Sequence, residues 1–270
     1  MTHISKEFRF SKKEKVPFLQ SLALGEYDFI EHAFGTRWGG VSQEPFANFN
    51  FSRQVGDKEG NIEQNREILS TAFHIPRGGF LTVEQVHGDK IAVINGDVPD
   101  SQCYPGYDGI ISNRPGLALA VKTADCLPVF LVDAQKRVIG AVHAGWRGTA
   151  LGITARAVEI FVKKFSSSPT DIMAVLGPSI GPCCYEVDEV VFNLMAEVRG
   201  NTDFLSGRDE KGKWMLDLAM ANSCQLEDAG LLPGNIVSAG TCTSCNREKF
   251  FSHRGEGGNT GRQINFLMLK

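Results

Sequence analysis

His87, Cys126 and His143 are the residues whose types and surroundings best suit chemistry, and that chemistry is metal coordination. They lie in Val83-Glu84-Gln85-Val86-His87-Gly88, Lys122-Thr123-Ala124-Asp125-Cys126-Leu127-Pro128 and Val142-His143-Ala144-Gly145-Trp146-Arg147-Gly148. Each follows an apolar run and stands beside or near glycine or proline, so each is expected at a strand end. There a rigid sheet holds a side chain to the tolerance a metal needs. Two imidazoles and one thiolate suit zinc, with copper as the alternative ion. Three protein ligands leave the fourth tetrahedral position to water or substrate, and a bound water would have its pKa lowered toward neutrality. The ligands are far apart in sequence, unlike a CxxC…HxxxH set, so only folding brings them together. At each position taken singly, the competing reading is a satisfied buried group.

The neighbours of this triplet suggest an anionic substrate. His143 leads through Ala-Gly-Trp-Arg-Gly into a helix, a junction of free N–H groups with Arg147 beside them, which suits phosphate. Packing of Trp146 and Arg147 on the sheet is the alternative. Arg37, Arg147, Arg254 and Arg262 all sit in glycine-flanked segments and are candidates to hold phosphate. Asp125 and Glu84 are candidate proton carriers, and Asp125 is favoured instead as the partner that orients a ligating histidine. His253 is a candidate substrate contact, and Phe250 or Phe251 a candidate to stack on a ring. His3, His32 and His74 stand outside the triplet, with His32 at most lining the pocket. Cys242-Thr-Ser-Cys245 is a lone CxxC; we read it, with Cys183 and Cys184, as structural thiols, a second metal site being the alternative.

The elements that must position these residues alternate without strict βαβα order. Residues 7–10 read as an edge strand and 61–73 as a helix with Ile62, Leu69 and Phe73 on one face. Residues 80–83, 90–94, 117–121, 128–132 and 138–142 read as strands. Residues 149–165 read as one amphipathic helix capped by Thr149. A strand at 172–176, helices after Asp188 and Asp217, and strands at 236–239 and 264–269 follow. Paired strands mixed with βα units favour an α+β fold, a layered mixed-sheet α/β sandwich forming a single domain over residues 1–270. No GxGxxG or GxxxxGK[ST] supports a dinucleotide or P-loop site.

Bulk properties narrow the class. The chain has 270 residues, 42% of them hydrophobic, and a formal net charge of −3. A core of that size folds without a metal staple, so a bound metal is expected to be catalytic. No basic block is present to neutralise nucleic-acid phosphates, and neither a signal peptide nor a transmembrane stretch is apparent. A cytoplasmic protein with reduced cysteines is expected.

The segments QVHG, TADCLP and HAGWRG, in this order and spacing, resemble those of the YfiH-like family. That family was long labelled multicopper polyphenol oxidase, or laccase-like, and is now regarded as purine nucleoside phosphorylases. The resemblance continues through FGTRWGGVS (34–42), VGDKEGNIEQNR (55–66), YDGIIS (107–112), LGPSIGPCCYEV (176–187), FFSHR (250–254) and TGRQ (260–263). It implies that His87, Cys126 and His143 are zinc ligands in a layered mixed α/β sandwich. It further implies phosphorolysis of adenosine, inosine and S-methyl-5′-thioadenosine to base and ribose 1-phosphate, with adenosine deamination beside it. The partners implied are purine nucleosides and phosphate, and the oligomeric state is left open. Other zinc deaminases use a His-x-Glu with Pro-Cys-x-x-Cys, and Pro182-Cys183-Cys184 has the wrong spacing for that signature.

Two competing functions come from the same residues. A copper polyphenol oxidase needs several histidine clusters, and six histidines scattered singly do not supply them. A cysteine hydrolase needs only Cys126 as nucleophile and His143 as base.

Overall fold

The apolar runs are strands. In chain order they begin with β1 (Phe8–Lys13), β2 (Val16–Ser21), β3 (Ile30–Gly35), β4 (Phe80–Glu84), β5 (Ile91–Ile94), β6 (Cys103–Pro105), β7 (Gly109–Ser112) and β8 (Ala118–Thr123). The second half contributes β9 (Leu127–Asp133), β10 (Val138–Ala144), β11 (Ile172–Leu176), β12 (Glu186–Val187), β13 (Leu205–Ser206), β14 (Trp214–Leu216), β15 (Ile236–Ser238) and β16 (Gln263–Leu269). The α-helices are α1 (Leu22–Gly25), α2 (Glu59–Ala72), α3 (Trp146–Ala150), α4 (Ile153–Phe165), α5 (Glu189–Ala196) and α6 (Leu218–Asp228). This computed structural model describes residues 5–76, 78–95, 103–197, 202–207 and 212–270; His3 lies outside the described residues.

Two mixed sheets stack face to face. One has the order β1-β2-β3-β16-β8-β4-β6 and the other β15-β11-β9-β10-β7-β5. Leu119, Val121 and Leu267 of the first meet Phe130, Ile139 and Val175 of the second in a shared core. The outer face of the second sheet is covered by Ala157, Val158 and Phe161 of α4 and Leu226 of α6. Leu69 and Ala72 of α2 cover the outer face of the first. The layers therefore run α/β/β/α, the layered α+β sandwich expected. Every residue of β9, β10 and β16 is buried, which is why these strands read as unbroken apolar runs. A small third sheet, β12-β14-β13, packs with α3 and α5 over a separate cluster around Ile180 and Leu216.

Three local expectations hold and one fails. Strand β1 lies at a sheet edge, and helices follow Asp188 and Asp217; the structure adds that both aspartates cap them, accepting from Val191 N (3.1 Å) and Met220 N (2.9 Å). The single helix expected over 149–165 is instead two. Gly152, in the left-handed region at φ 77°, separates α3 from α4. Thr149 lies inside α3, where its Oγ1 accepts from Asn222 Nδ2, rather than serving as a cap. Among the described residues no helix is long and apolar enough to cross a membrane.

His32 belongs to this frame rather than to a pocket. It is 1% exposed on β3, and its Nε2 accepts a hydrogen bond from Ser21 N at 3.1 Å. Burial pulls its pKa down to about 4 from 6.5. The unfolded chain therefore binds the extra proton first, and stability falls as pH drops from 6.5 toward 4. The full loss through this residue is about 3 kcal/mol. Urea unfolding at a series of pH values should show that slope, reduced in His32→Gln.

Candidate metal and substrate site

Sheet register assembles the triplet. The chain crosses from one sheet to the other between β8 and β9, over Ala124-Asp125-Cys126. Antiparallel pairing of β9 with β10 sets His143 opposite Pro128 and Ala144 opposite Leu127. The next residue of each strand's extension, Gly145 and Cys126, then come together. A Cβ on Gly145 would lie 3.0 Å from His87 Cδ2 and 3.1 Å from Cys126 Sγ, so a larger residue would push against both side chains. Pairing of β7 with β10 sets Gly109 opposite Val142 and brings Asp108 beside His143, whose N–H donates to Asp108 O at 2.7 Å.

Asp108, a residue to which the sequence assigned no role, organises the site. Its fully buried carboxylate accepts from His143 Nδ1 at 2.8 Å and from the N–H groups of Val86 (3.2 Å), His87 (2.9 Å) and Gly88 (2.7 Å). Burial alone would raise its pKa, but these donors outweigh burial and hold the carboxyl below its ordinary range. The imidazole that donates from Nδ1 offers Nε2 as an acceptor toward the site. The three N–H bonds also hold His87 at φ 60°, a conformation uncommon for a residue with a Cβ and typical of functional sites.

The donor atoms of His87, Cys126 and His143 lie within 4.8 Å of one another, graded from exposed through half-buried to buried. Cys126 Sγ is 3.8 Å from His87 Nε2. Tetrahedral zinc with its usual bond lengths needs an N···S separation of about 3.6 Å, so the donor set fits a single ion of this kind. His87 forms the solvent-exposed side of the set. Burial would raise the Cys126 thiol, but the charge and hydrogen bond of His143, helped by His87, bring it down to about 6. Burial would lower His143, but the Cys126 charge and Asp108 carry it up to about 9. Without a metal the two shifts favour a thiolate beside an imidazolium.

Around the triplet lies a cavity of about 630 Å³, of a size that takes a small-molecule substrate. Glu84, Asp125, Arg147, His253, Arg254 and Arg262 all line it, as do Arg53, Arg66 and Lys122, which sequence reasoning passed over. Arg147 lies over the Trp146 ring, 4.8 Å from its centroid, and among the described residues forms no ion pair. Arg254 donates to Glu186 O at 2.9 Å and lies over Tyr185. Arg262 donates to the carbonyls of Thr260 and Gly261, with Nη2 3.4 Å from His253 Nδ1. Helix α3 has only five residues, which shortens the dipole expected behind Arg147.

Three expectations are corrected. Arg37 is not among the cavity-lining residues: its guanidinium donates to Ala47 O, Arg247 O and Glu256 Oε1, and it stacks on Phe251. Phe250 and Phe251 are fully buried and are not among the cavity-lining residues; the cavity's aromatic walls are Phe51, Trp146 and Tyr185. The carboxylate that hydrogen-bonds a histidine of the triplet is Asp108, not Asp125. Asp125 Oδ1 accepts from Thr243 Oγ1 (2.6 Å) and Ser252 Oγ (2.7 Å), and Oδ2 accepts from Arg254 N (2.6 Å). Those bonds tie the Cys126 crossover, at φ 90° for Asp125, to the loop that carries His253 and Arg254.

Comparison with known proteins places this arrangement in a family. Residues 31–270 match the family described as multi-copper polyphenol oxidoreductase laccase. The chain is 37% identical to the purine nucleoside phosphorylase YlmD of Geobacillus stearothermophilus, over 86% of this chain and 87% of that one. It is 34% identical to the enzyme of the same name from Bacillus subtilis, over 88% and 87% of the two chains. The crystal structure of the hypothetical protein YfiH of Bacillus licheniformis superposes with a TM-score of 0.91 at 32% identity, covering 98% of this chain and all of that one. The chain belongs to this laccase-like YfiH/YlmD family.

Two outcomes test the site's electrostatics. In metal-stripped protein, alkylation of Cys126 followed by peptide mass spectrometry should rise through pH of about 6 rather than near 9, and metal loading should suppress it. Asp108→Asn, which keeps the shape but loses the charge, should weaken metal affinity roughly 10–100-fold in a chelator competition.

Proposed function

We propose that this chain is a zinc-dependent purine nucleoside phosphorylase, acting on adenosine, inosine and S-methyl-5′-thioadenosine, with adenosine deamination as a side activity. One observation carries the reading: a two-histidine, one-thiol metal triplet opens into a cavity that also gathers Arg147, Lys122 and Arg262. Cations of that number suit a phosphate co-substrate, and the walls of Phe51, Trp146 and Tyr185 suit a flat base. Relatives named purine nucleoside phosphorylase support it.

In this reading His87, Cys126 and His143 hold the zinc, and Asp108, by accepting from Nδ1, fixes the His143 tautomer that turns Nε2 toward the ion. When bound, the ion supplies Lewis-acid polarisation at the open coordination position. Arg147, which lies over Trp146 and forms no ion pair among the described residues, is the main phosphate holder, with Lys122 and Arg262 of the same cavity assisting. Phosphorolysis breaks the C1′–N9 bond and forms a C1′–O bond to phosphate, and the purine leaves after gaining a proton at a ring nitrogen. Glu84, exposed at the end of β4 and lining the cavity, is the residue we assign to that proton. In deamination water oxygen replaces the C6 amino group and ammonia leaves, with Glu84 again moving protons. Asp125, held by three donors, positions Cys126 and the His253–Arg254 loop.

A cysteine hydrolase is the second reading, favoured by one observation: Cys126, His143 and Asp108 line up as nucleophile, base and orienting carboxylate. Such an enzyme would survive chelation and die on alkylation. The copper-oxidase reading has less support, because only two histidines converge among the described residues.

Zinc-loaded protein with inosine should release hypoxanthine only when phosphate is present, and Cys126→Ala should abolish release. Arg147→Ala should raise the KM for phosphate roughly 10–100-fold, the size of a lost charge-assisted hydrogen bond. Full turnover by Cys126→Ala, or no phosphate-dependent release from any purine nucleoside, would overturn the proposal.

A further inference from the structure

The cysteines that the triplet leaves unused are not scattered. Cys183 and Cys184 sit in the turn after Gly181, and Cys242 and Cys245 lie in the segment following β15. The four sulfur atoms lie within 4.8 Å of one another. Cys245 Sγ is 3.6 Å from Cys183 Sγ and 3.4 Å from Cys184 Sγ. All four are free thiols.

We propose that Cys183, Cys184, Cys242 and Cys245 form a second metal site, a tetrathiolate that holds one zinc-like divalent ion for structural reasons. Four thiolates around one tetrahedral zinc stand about 3.8 Å apart, as follows from a Zn–S bond of about 2.3 Å. The two shortest separations here are close to that value. A polynuclear iron–sulfur cluster would spread its thiolates wider than one ion does. A closed set of four sulfurs leaves no open position, which marks a structural rather than a catalytic site.

The backbone around the cluster is built for close approach. A Cβ on Gly181 would lie 3.2 Å from Cys242 Cβ and 3.5 Å from Cys183 Sγ, so the turn can close on its partner segment. Ser179 and Cys242 form an isolated parallel bridge, Thr243 N donates to Ser179 O, and Asn246 Nδ2 donates to Cys242 O. Cys242 is buried, whereas Cys183 and Cys245 are exposed, so solvent gives an ion a way in.

The consequence reaches the cavity. The 181–185 turn carries Tyr185, and the segment beginning at Cys242 carries Thr243 and leads to Ser252, His253 and Arg254. Thr243 and Ser252 both donate to Asp125, next to Cys126. An ion among the four cysteines therefore pins two walls of the substrate cavity to each other and to the crossover that bears Cys126. Sequence spacing alone left structural thiols as the stronger reading; the convergence of all four sulfurs reverses it.

The test uses the full chain, purified with reductant and reconstituted with zinc or cadmium alone. Wild type should hold two zinc ions per chain, Cys126→Ala one, Cys242→Ser/Cys245→Ser one, and the triple variant none. Because the double variant is exposed to misfolding, ¹¹³Cd NMR on wild type provides a readout that needs no substitution. Two resonances are expected, one in the strongly deshielded range of four thiolates. A single equivalent lost entirely in Cys126→Ala, a lone cadmium resonance outside the four-thiolate range, or a disulfide among these four cysteines in the reduced protein would each overturn the assignment. Failure here leaves the phosphorolysis experiment unaffected, since the two sites are counted separately.

Discussion

The carboxylate of Asp108 accepts four hydrogen bonds, one from His143 Nδ1 and three from the consecutive N–H groups of Val86, His87 and Gly88, in a place solvent does not reach. Everything about the metal triplet depends on that interaction. It turns one ligand, holds the loop of a second in a left-handed conformation, and stabilises positive charge on His143 against the cost of burial. Remove the carboxylate and a buried imidazole and three backbone N–H groups lose their acceptor together, a loss of the kind that costs more than one average hydrogen bond.

Layering explains how such a group can be placed with precision. Asp108 precedes β7, His143 is on β10, and Cys126 sits where the chain leaves one sheet for the other, so ladder register rather than loop packing sets their separations. Glycines 145 and 148 then let α3 start against the ligands: a Cβ at Gly148 would lie 2.9 Å from Gly88 O. The rim is held differently, by side-chain bonds to Asp125 and by the brace of Arg37 on Glu256, which in turn accepts from Ser252 N and Thr260 Oγ1. A rigid floor and a laced rim suit a site whose substrate must be placed beside a second, anionic one.

Much of this was legible from residues alone. The central strands were, because burial on both faces leaves a continuous apolar run, and so were the helices that start after Asp188 and Asp217, whose signal is local. His87, Cys126 and His143 stood out as metal-capable groups near strand ends. Asp108 did not, although it lies in a segment that carries the family resemblance. Its role arises from the pairing of β7 with β10, and spacing does not encode register between strands more than 25 residues apart in the chain. Strand β3 was missed because His32 and Glu31 interrupt its apolar pattern, and the break at Gly152 because α3 and α4 share one helical periodicity. Arg37 carried a plausible anion signal, a cation among glycines, but its partners are distant in sequence. The four cysteines failed for the same reason: two pairs separated by 57 intervening residues between Cys184 and Cys242 read as unrelated thiols until the fold brings them into contact.

The central claim is that one cavity holds the metal and both substrates. A crystal structure of the zinc-loaded protein with phosphate and a non-hydrolysable nucleoside analogue, with anomalous data collected at the zinc edge, tests it most directly. The account predicts an anomalous peak bonded by His87, Cys126 and His143, with phosphate on Arg147 and the base between the aromatic walls of the same cavity. An analogue bound elsewhere, or no peak at these three residues in zinc-replete crystals, would contradict it.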